Sequence, residues 1–234
     1  MTDPVSFTRS AMELASVAVE TEIEVWGRKW ALMPGVFNPE FFTSTGIFDA
    51  LIDYPAGGSF LEIGCGAGLI AVRAALAGCE QVWATDINSR AVENTLLNAE
   101  RHGVASKVAS VQCYLFDGLP EGKTFDVIFW NSNFIYQPES DHQLSDYEQA
   151  FFDPGYKAHE RFLRDAPSRL RPGGRLLMGF SDLGNLTELL GRLDAAGVTA
   201  RSVGRTDAED GHAYDLYWLV PSDSHEVITD RMDV

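Results

Sequence analysis

Between Phe129 and Glu139 the chain reads FWNSNFIYQPE, with two asparagines and a serine ringed by aromatics where an apolar, strand-like run stops. Amide side chains supply hydrogen-bond donors and acceptors together, and flat rings can stack on a planar group. Upstream, FLEIGCGAGLIAVRAAL sets Gly64, Gly66 and Gly68 between a strand-like run and a helix-like one. Glycines there permit a tight turn and let a ligand approach the main chain beside the unpaired N–H groups of a helix start. Carboxylates recur at the ends of successive strand-like runs. Glu62 precedes the glycines, Asp86 closes QVWATDIN with Ile87 after it, and Asp117 lies in LFDGLP beside Phe116.

Spacing and charge restrict the ligand. The dinucleotide fingerprint G-x-G-x-x-G needs its third glycine where Leu69 stands, and Gly68 falls one residue early. A pyrophosphate would be repelled by Glu62, whereas a cation would be favoured. S-adenosylmethionine (SAM) carries a sulfonium, an ammonium and a ribose, and no phosphate. In that reading Asp86 accepts from the ribose hydroxyls, Asp117 accepts from the adenine amine, and Phe116 lines the adenine face. The alternatives are structural: Asp86 as a cap for the helix from Ser89, and Asp117 as the start of a turn.

The elements that must position these groups alternate. Strand-like runs cover 59–64, 80–86, 107–114, 125–130, 174–180, 198–204 and 213–220, with helix-like runs at 67–77, 89–102, 156–170 and 185–196. This is the pattern of an α/β, Rossmann-like sheet, mostly parallel, with helices on both faces. Only RTDAEDGH separates the last two strands, which predicts a hairpin and one antiparallel strand. Before residue 59, SFTRSAMELASVAVETE reads as a helix and EIEVWGRKWALM as a hairpin about a Gly-Arg turn, serving as lid or brace. The expected division is a helix and hairpin extension over 1–45, a catalytic domain over 46–221 and a loosely held tail over 222–234.

A formal charge of −16 argues against nucleic acid as substrate, because phosphate backbones are bound through Lys and Arg. No run reaches the roughly 18 to 20 apolar residues of a membrane span, and the N-terminus lacks the order of a secretory signal, so a cytoplasmic protein is expected. Cys65, Cys79 and Cys113, scattered through apolar runs, read as reduced core thiols, and no metal spacing is present.

LEIGCGAG, ATDIN, LFDG, FDVIFWNSNF and LRPGGRLLM, in that order, resemble the class I SAM-dependent methyltransferase family over about 60–220. The resemblance implies a seven-stranded sheet with the last strand antiparallel and inserted near the edge. Asn131 to Phe134, NSNF, is similar to the N-P-P-Y or N-P-P-F tetrad of the amino-methylating branch that includes release-factor glutamine and guanine-N2 rRNA methyltransferases. GVFNPEFFTSTG resembles that branch's segment closing over the cofactor, with Phe37 and Thr45 at the matching positions. Ser132 and Asn133 replace two prolines, which predicts a less rigid loop with added hydrogen-bonding side chains.

The resemblance implies SAM as cofactor and S-adenosylhomocysteine as product, bound by Phe37, Thr45, Glu62, Gly64, Gly66, Gly68, Asp86, Ile87, Phe116, Asp117 and Asn131. Asn131, Phe134 and Tyr136 are the expected catalytic residues, with His142 a candidate base in the acidic, aromatic segment that follows. That segment suggests a small planar, amide- or guanidino-bearing metabolite as the N-methylated partner, with a monomeric or homodimeric enzyme. Methylation of a protein glutamine, O-methylation of a small molecule, a non-catalytic SAM-binding module and a nicotinamide-dependent oxidoreductase are the rivals.

Overall fold

The computed structural model describes residues 3–139 and 143–222. Helix α1 (Pro4–Ala15) opens with Asp3 accepting from the Ser6 N–H at 3.1 Å and with proline in its first turn, where no N–H is required. Strands β1 (Thr21–Val25) and β2 (Arg28–Leu32) pair as a hairpin with Val25 opposite Arg28, so the turn is Trp26-Gly27 rather than Gly27-Arg28. Both turn residues have positive φ, 54° and 65°, as a two-residue hairpin turn requires.

Helix α2 (Ser44–Leu51) leads into the central α/β unit: β3 (Ser59–Ile63), α3 (Leu69–Leu76), β4 (Gln81–Asp86), α4 (Ser89–Arg101), β5 (Val108–Gln112) and β6 (Phe125–Asn131). Next come two short strands, β7 (Ile135–Gln137) and β8 (Phe152–Pro154), then α5 (Lys157–Asp165), β9 (Leu170–Ser181), α6 (Leu186–Ala195), β10 (Val198–Asp207) and β11 (Ala213–Pro221). The main sheet runs β10-β11-β9-β6-β3-β4-β5, with β11 antiparallel to both neighbours, as expected for the Rossmann-like α/β class.

Every residue of β3 is buried, because helices cover both faces of this central strand. Val127 and Phe129 pack on one side of the sheet with α3, while Ile128 and Trp130 pack on the other with Phe162 of α5. Alternation along one strand therefore assigns neighbouring residues to two different cores.

Two local readings change. Asn88, not Ser89, caps α4, its side chain accepting from the Arg90 N–H at 3.0 Å. The segment after β6 is not all loop, because β7 and β8 form a small parallel pair. The tail over 222–234 lies outside the described residues beyond Ser222, and so does His142. Among the described residues no helix is long and apolar enough to cross a membrane.

The N-terminal extension is fastened to the catalytic unit by α4. The Asn98 amide accepts from the Ala31 N–H at 2.8 Å and donates to the carbonyls of Ala31 and Ala67 at 2.9 and 2.8 Å. Asn94 accepts from the Met33 N–H and donates to Ala31 O, both at 2.8 Å. Two fully buried asparagines thus treat β2 as a neighbouring strand would, and one of them reaches the glycine loop.

Candidate functional site

A cleft opens above the carboxyl ends of β3, β4 and β6, where open α/β sheets bind ligands. Its floor is the turn from Gly64 to Gly68. These three glycines have φ of 67°, 53° and 80°, the left-handed region that side-chain-bearing residues avoid. Gly64 and Gly66 line the cleft. Gly68 does not; it starts α3 where a Cβ would lie 2.6 Å from Thr95 Cα, so its role is close packing of α3 on α4.

The backbone donors of this turn are largely consumed within the protein. The N–H groups of Gly64 and Cys65 both donate to Thr85 O at 2.8 and 3.0 Å, Gly66 donates to Asp86 Oδ2 at 2.9 Å, and Gly68 donates to Cys65 O at 2.8 Å. Among the described residues, no Lys or Arg lines the cleft, whereas Glu62 and Asp86 do. A pyrophosphate would find no cation there, and among the N–H groups of residues 64 to 68 only that of Ala67 without a protein acceptor among the described residues. A phosphate-free ligand with a positive charge and hydroxyl donors fits the same surface, and SAM has both.

Asp86 is placed by its own neighbours: Oδ2 accepts from Gly66 and Oδ1 from the Asn88 N–H at 2.9 Å. A carboxylate has about four acceptor positions, so two remain for a ligand. Desolvation pushes its pKa up to about 6 against these two bonds, which act in the opposite direction. Glu62 is 3% exposed and accepts from the Ala71 N–H in the first turn of α3 at 2.8 Å. Burial drives its pKa well above the ordinary carboxylate range, and the nearby Asp86 adds to the rise.

At the end of β6, Asn131 lines the cleft and its Nδ2 donates to Ser44 Oγ at 3.3 Å, which leaves Oδ1 as the acceptor end. Ser132 N and Oγ both donate to Gly179 O of β9, at 3.3 and 2.7 Å. Asn133 Nδ2 donates to the carbonyls of Gln149 and Phe152 at 3.2 and 3.0 Å, which fixes its amide; its Oδ1 is buried with no partner among the described residues. The expectation of a looser loop is therefore corrected. The residues in place of two prolines add four hydrogen bonds to β9 and to the β8 segment, and a proline at Ser132 would have no N–H to give. The Phe134 N–H closes the corner onto Ser132 O at 3.0 Å, and its ring sits edge-on to Phe180 and Tyr214 at 6.2 and 6.3 Å.

The cleft brings together most of the residues expected from sequence: Phe37, Thr45, Glu62, Gly64, Gly66, Asp86, Ile87, Asn131 and Phe134 all line it. Phe116, Asp117 and Tyr136 do not. Phe116 is buried against Phe162, with ring centroids 5.8 Å apart, and the Asp117 carboxylate is paired with Arg161. Leu115, with φ of 52°, redirects the chain after β5, so Cys113, Tyr114 and Leu115 form the wall that Phe116 and Asp117 were expected to form. Tyr136 packs edge-on against Tyr156 at 5.2 Å, behind the corner. Sequence reasoning passed over Trp130, which lines the cleft beside Asn131, and over Phe7, Thr8 and Ala11 of α1, which roof it. The alternation along β6 is the signal that could have singled out Trp130.

The family model described as Ribosomal protein L11 methyltransferase (PrmA) matches residues 47–135. A Methanocaldococcus jannaschii protein, named as a candidate protein N5-glutamine methyltransferase, is 32% identical over 75% of this chain and 87% of its own length. A release factor glutamine methyltransferase of Rhodopirellula baltica is 35% identical over 53% of this chain and 44% of its own length, so the chain spans under half of that relative. The solved 16S rRNA N2 G1207 methyltransferase of T. thermophilus, in complex with AdoMet and guanosine, superposes with a TM-score of 0.54 at 18% identity. The match covers 85% of this chain and 49% of that one, and it bears on the fold.

These names, with that of a ribosomal RNA small subunit methyltransferase C of Chromohalobacter salexigens 29% identical over 73% of this chain and 47% of its own length, correct two expectations, the small-molecule acceptor and the exclusion of nucleic acid: the relatives are named for protein or RNA acceptors. The net charge misled because it sums over the whole surface, whereas acceptor choice is made at one cleft.

Proposed function

The chain belongs to the class I SAM-dependent methyltransferase family, and from that membership we propose that it methylates the side-chain amide nitrogen of a glutamine in a protein. The observation that carries this reading is the Asn131 corner, where an amide oriented by Ser44 presents its oxygen at the carboxyl end of β6. The name of the archaeal relative supports the same acceptor.

Bound SAM supplies a methyl group on a positively charged sulfur, open to in-line attack by a nitrogen. The task left to the chain is placement. Asp86 holds the ribose hydroxyls with the acceptor positions that Gly66 and Asn88 leave open. Glu62 faces the ammonium, Ile87 and Tyr114 wall the adenine side, and Phe37 and Thr45 close over the methionyl side.

A primary amide is a poor nucleophile because its lone pair is shared with the carbonyl. Asn131 Oδ1 and Ser132 O accept its two N–H groups, which fixes the amide plane and returns electron density to nitrogen. Ser132 O already takes the Phe134 N–H, and its second lone pair serves the substrate. The Phe134 ring packs on the flat amide. Held within about 3 to 3.5 Å of the reacting carbon, a nitrogen gains most of its acceleration from position. The described part of the N-terminal extension, residues 3–45, acts as a lid and brace on the domain of 46–221: Phe7, Thr8 and Ala11 roof the cleft and keep water from it.

Incubation of the protein with methyl-labelled SAM and a cell extract divided into protein, RNA and small solutes tests this reading. The expected result is label in the protein fraction, released as methylamine by acid hydrolysis of the amide. Label in RNA or in a small solute would contradict it.

A further inference from the structure

We propose that the indole N–H of Trp130 binds the α-carboxylate of the cofactor's methionyl group. The inference rests on the cofactor placement just given, and it assigns a residue that neither the sequence motifs nor the comparisons single out.

The order of strands locates this end of the ligand. Along β5-β4-β3-β6, the wall of Tyr114 and Leu115 follows β5, Asp86 ends β4, Gly64 follows β3 and Asn131 ends β6. A ligand with its base at the first, its ribose at the second and its sulfur turned to the last lays its amino-acid part over Gly64 and the end of β6. That part carries one cationic and one anionic group. Glu62 serves the cation. The anion meets a surface with no Lys or Arg among the described residues, over a turn whose N–H groups at 64, 65, 66 and 68 are already given to Thr85, Asp86 and Cys65. What remains for it is neutral: the Ala67 N–H, which no protein acceptor takes among the described residues, and side-chain donors at the end of β6.

Trp130 meets that need. Its Nε1 and Cδ1 are the atoms nearest to the position of a Cβ on Gly64, at 3.7 and 3.8 Å, so the N–H edge of the ring borders the glycine turn. The residue is 4% exposed, lines the cleft, and its Nε1 donates to no protein acceptor among the described residues. An indole N–H is a donor only, so it selects an acceptor and cannot serve the ammonium.

The ring is held from behind by His159 and Phe162, with centroids at 4.7 and 4.8 Å. His159 is in turn fixed by Asp153, Nδ1 to Oδ2 at 2.7 Å. The donor is thus set before the ligand arrives, and little freedom is lost in using it. Thr45, at the start of α2, lines the same cleft and carries a hydroxyl that can give a second bond.

The test is calorimetric titration of the wild-type protein and Trp130→Phe with S-adenosylhomocysteine and with its decarboxylated analogue, which keeps the amine. Phenylalanine keeps one aromatic ring at the site and removes the N–H, and any packing lost with the second ring falls on both ligands alike. The variant is expected to bind S-adenosylhomocysteine roughly tenfold more weakly, as for loss of a hydrogen bond to a charged group. It should bind the decarboxylated analogue within twofold of the wild type. Equal losses for both ligands, or no loss for either, would overturn the proposal.

If the variant does not fold, the five indole N–H signals of the 15N-labelled wild type decide instead. One is expected to shift with S-adenosylhomocysteine and not with the analogue, and the absence of such a signal overturns the proposal. Wild-type protein that binds neither ligand would remove the cofactor placement itself, whereas intact wild-type binding with an unaffected variant removes only the role of Trp130.

Discussion

Tyr156 donates from its hydroxyl to the carbonyl oxygen of Phe134 at 2.5 Å, and the same hydroxyl accepts from the Asn185 N–H at 2.9 Å. The side chain is fully buried and its backbone is left-handed, with φ of 51°. One phenol thereby joins the Asn131–Phe134 corner to the starts of α5 and α6. Tyr156→Phe leaves a carbonyl and an amide without their partner, and the expected loss of stability is about 1–3 kcal/mol. Turnover should fall further than cofactor affinity, because the corner and not the glycine turn loses its anchor. Chemical denaturation, calorimetry and a methyl-transfer assay on the same variant measure stability, affinity and turnover, and equal falls in the last two would contradict the anchoring role.

Asp86 should make cofactor binding depend on pH. Its pKa in the free protein is pushed up to about 6, and hydroxyl donors of a bound ribose favour the ionised form. The pKa in the complex is therefore lower than in the free protein. Affinity should be flat above about pH 6 and fall as pH drops below it. Titrations between pH 5 and 8 check this, and the slope should vanish in Asp86→Asn, which also binds more weakly throughout.

Glu62 carries the opposite consequence for stability. Its folded pKa lies above the ordinary 4.5, so the folded state holds the proton more tightly than the unfolded chain does. Ionisation then destabilises the free protein progressively as pH rises above 4.5. Glu62→Gln retains an oxygen for the Ala71 N–H and cannot ionise. It should melt at or above the wild-type temperature, with the gap widening from pH 5 to pH 8, while binding SAM more weakly. A gap that narrows over that range would contradict the assignment.

Asn98→Ala removes three hydrogen bonds between α4, β2 and the glycine loop at a fully buried position. Loss of stability of about 2–4 kcal/mol is expected, since buried backbone groups lose partners and a void is left. The same change at exposed Glu93 of that helix should cost less than about 0.5 kcal/mol. Urea denaturation of the two variants gives the comparison.

The parts legible in the sequence are those fixed by local rules. Gly64 and Gly66, the acids Glu62 and Asp86, and the asparagine ending β6 all sit where a strand meets a turn, and strand ends in this fold converge on one cleft. Asp117 and Phe116 were misplaced because a single left-handed residue, Leu115, sets which side chains after β5 face inward, and no composition signal marks it. Ser132 and Asn133 looked like lost rigidity because their partners, Gly179, Gln149 and Phe152, are remote in sequence. The asparagines of α4 read as polar surface for the same reason, until β2 supplies the strand they complete.

In the proposed placement the cofactor lies over the Gly64–Gly66 turn with its sulfur directed at Asn131, and a crystal structure grown with S-adenosylhomocysteine decides it. Ribose hydroxyls bonded to Asp86 and a sulfur beside the Asn131 side chain are expected. Ligand density elsewhere, or a sulfur turned away from that side chain, would contradict it.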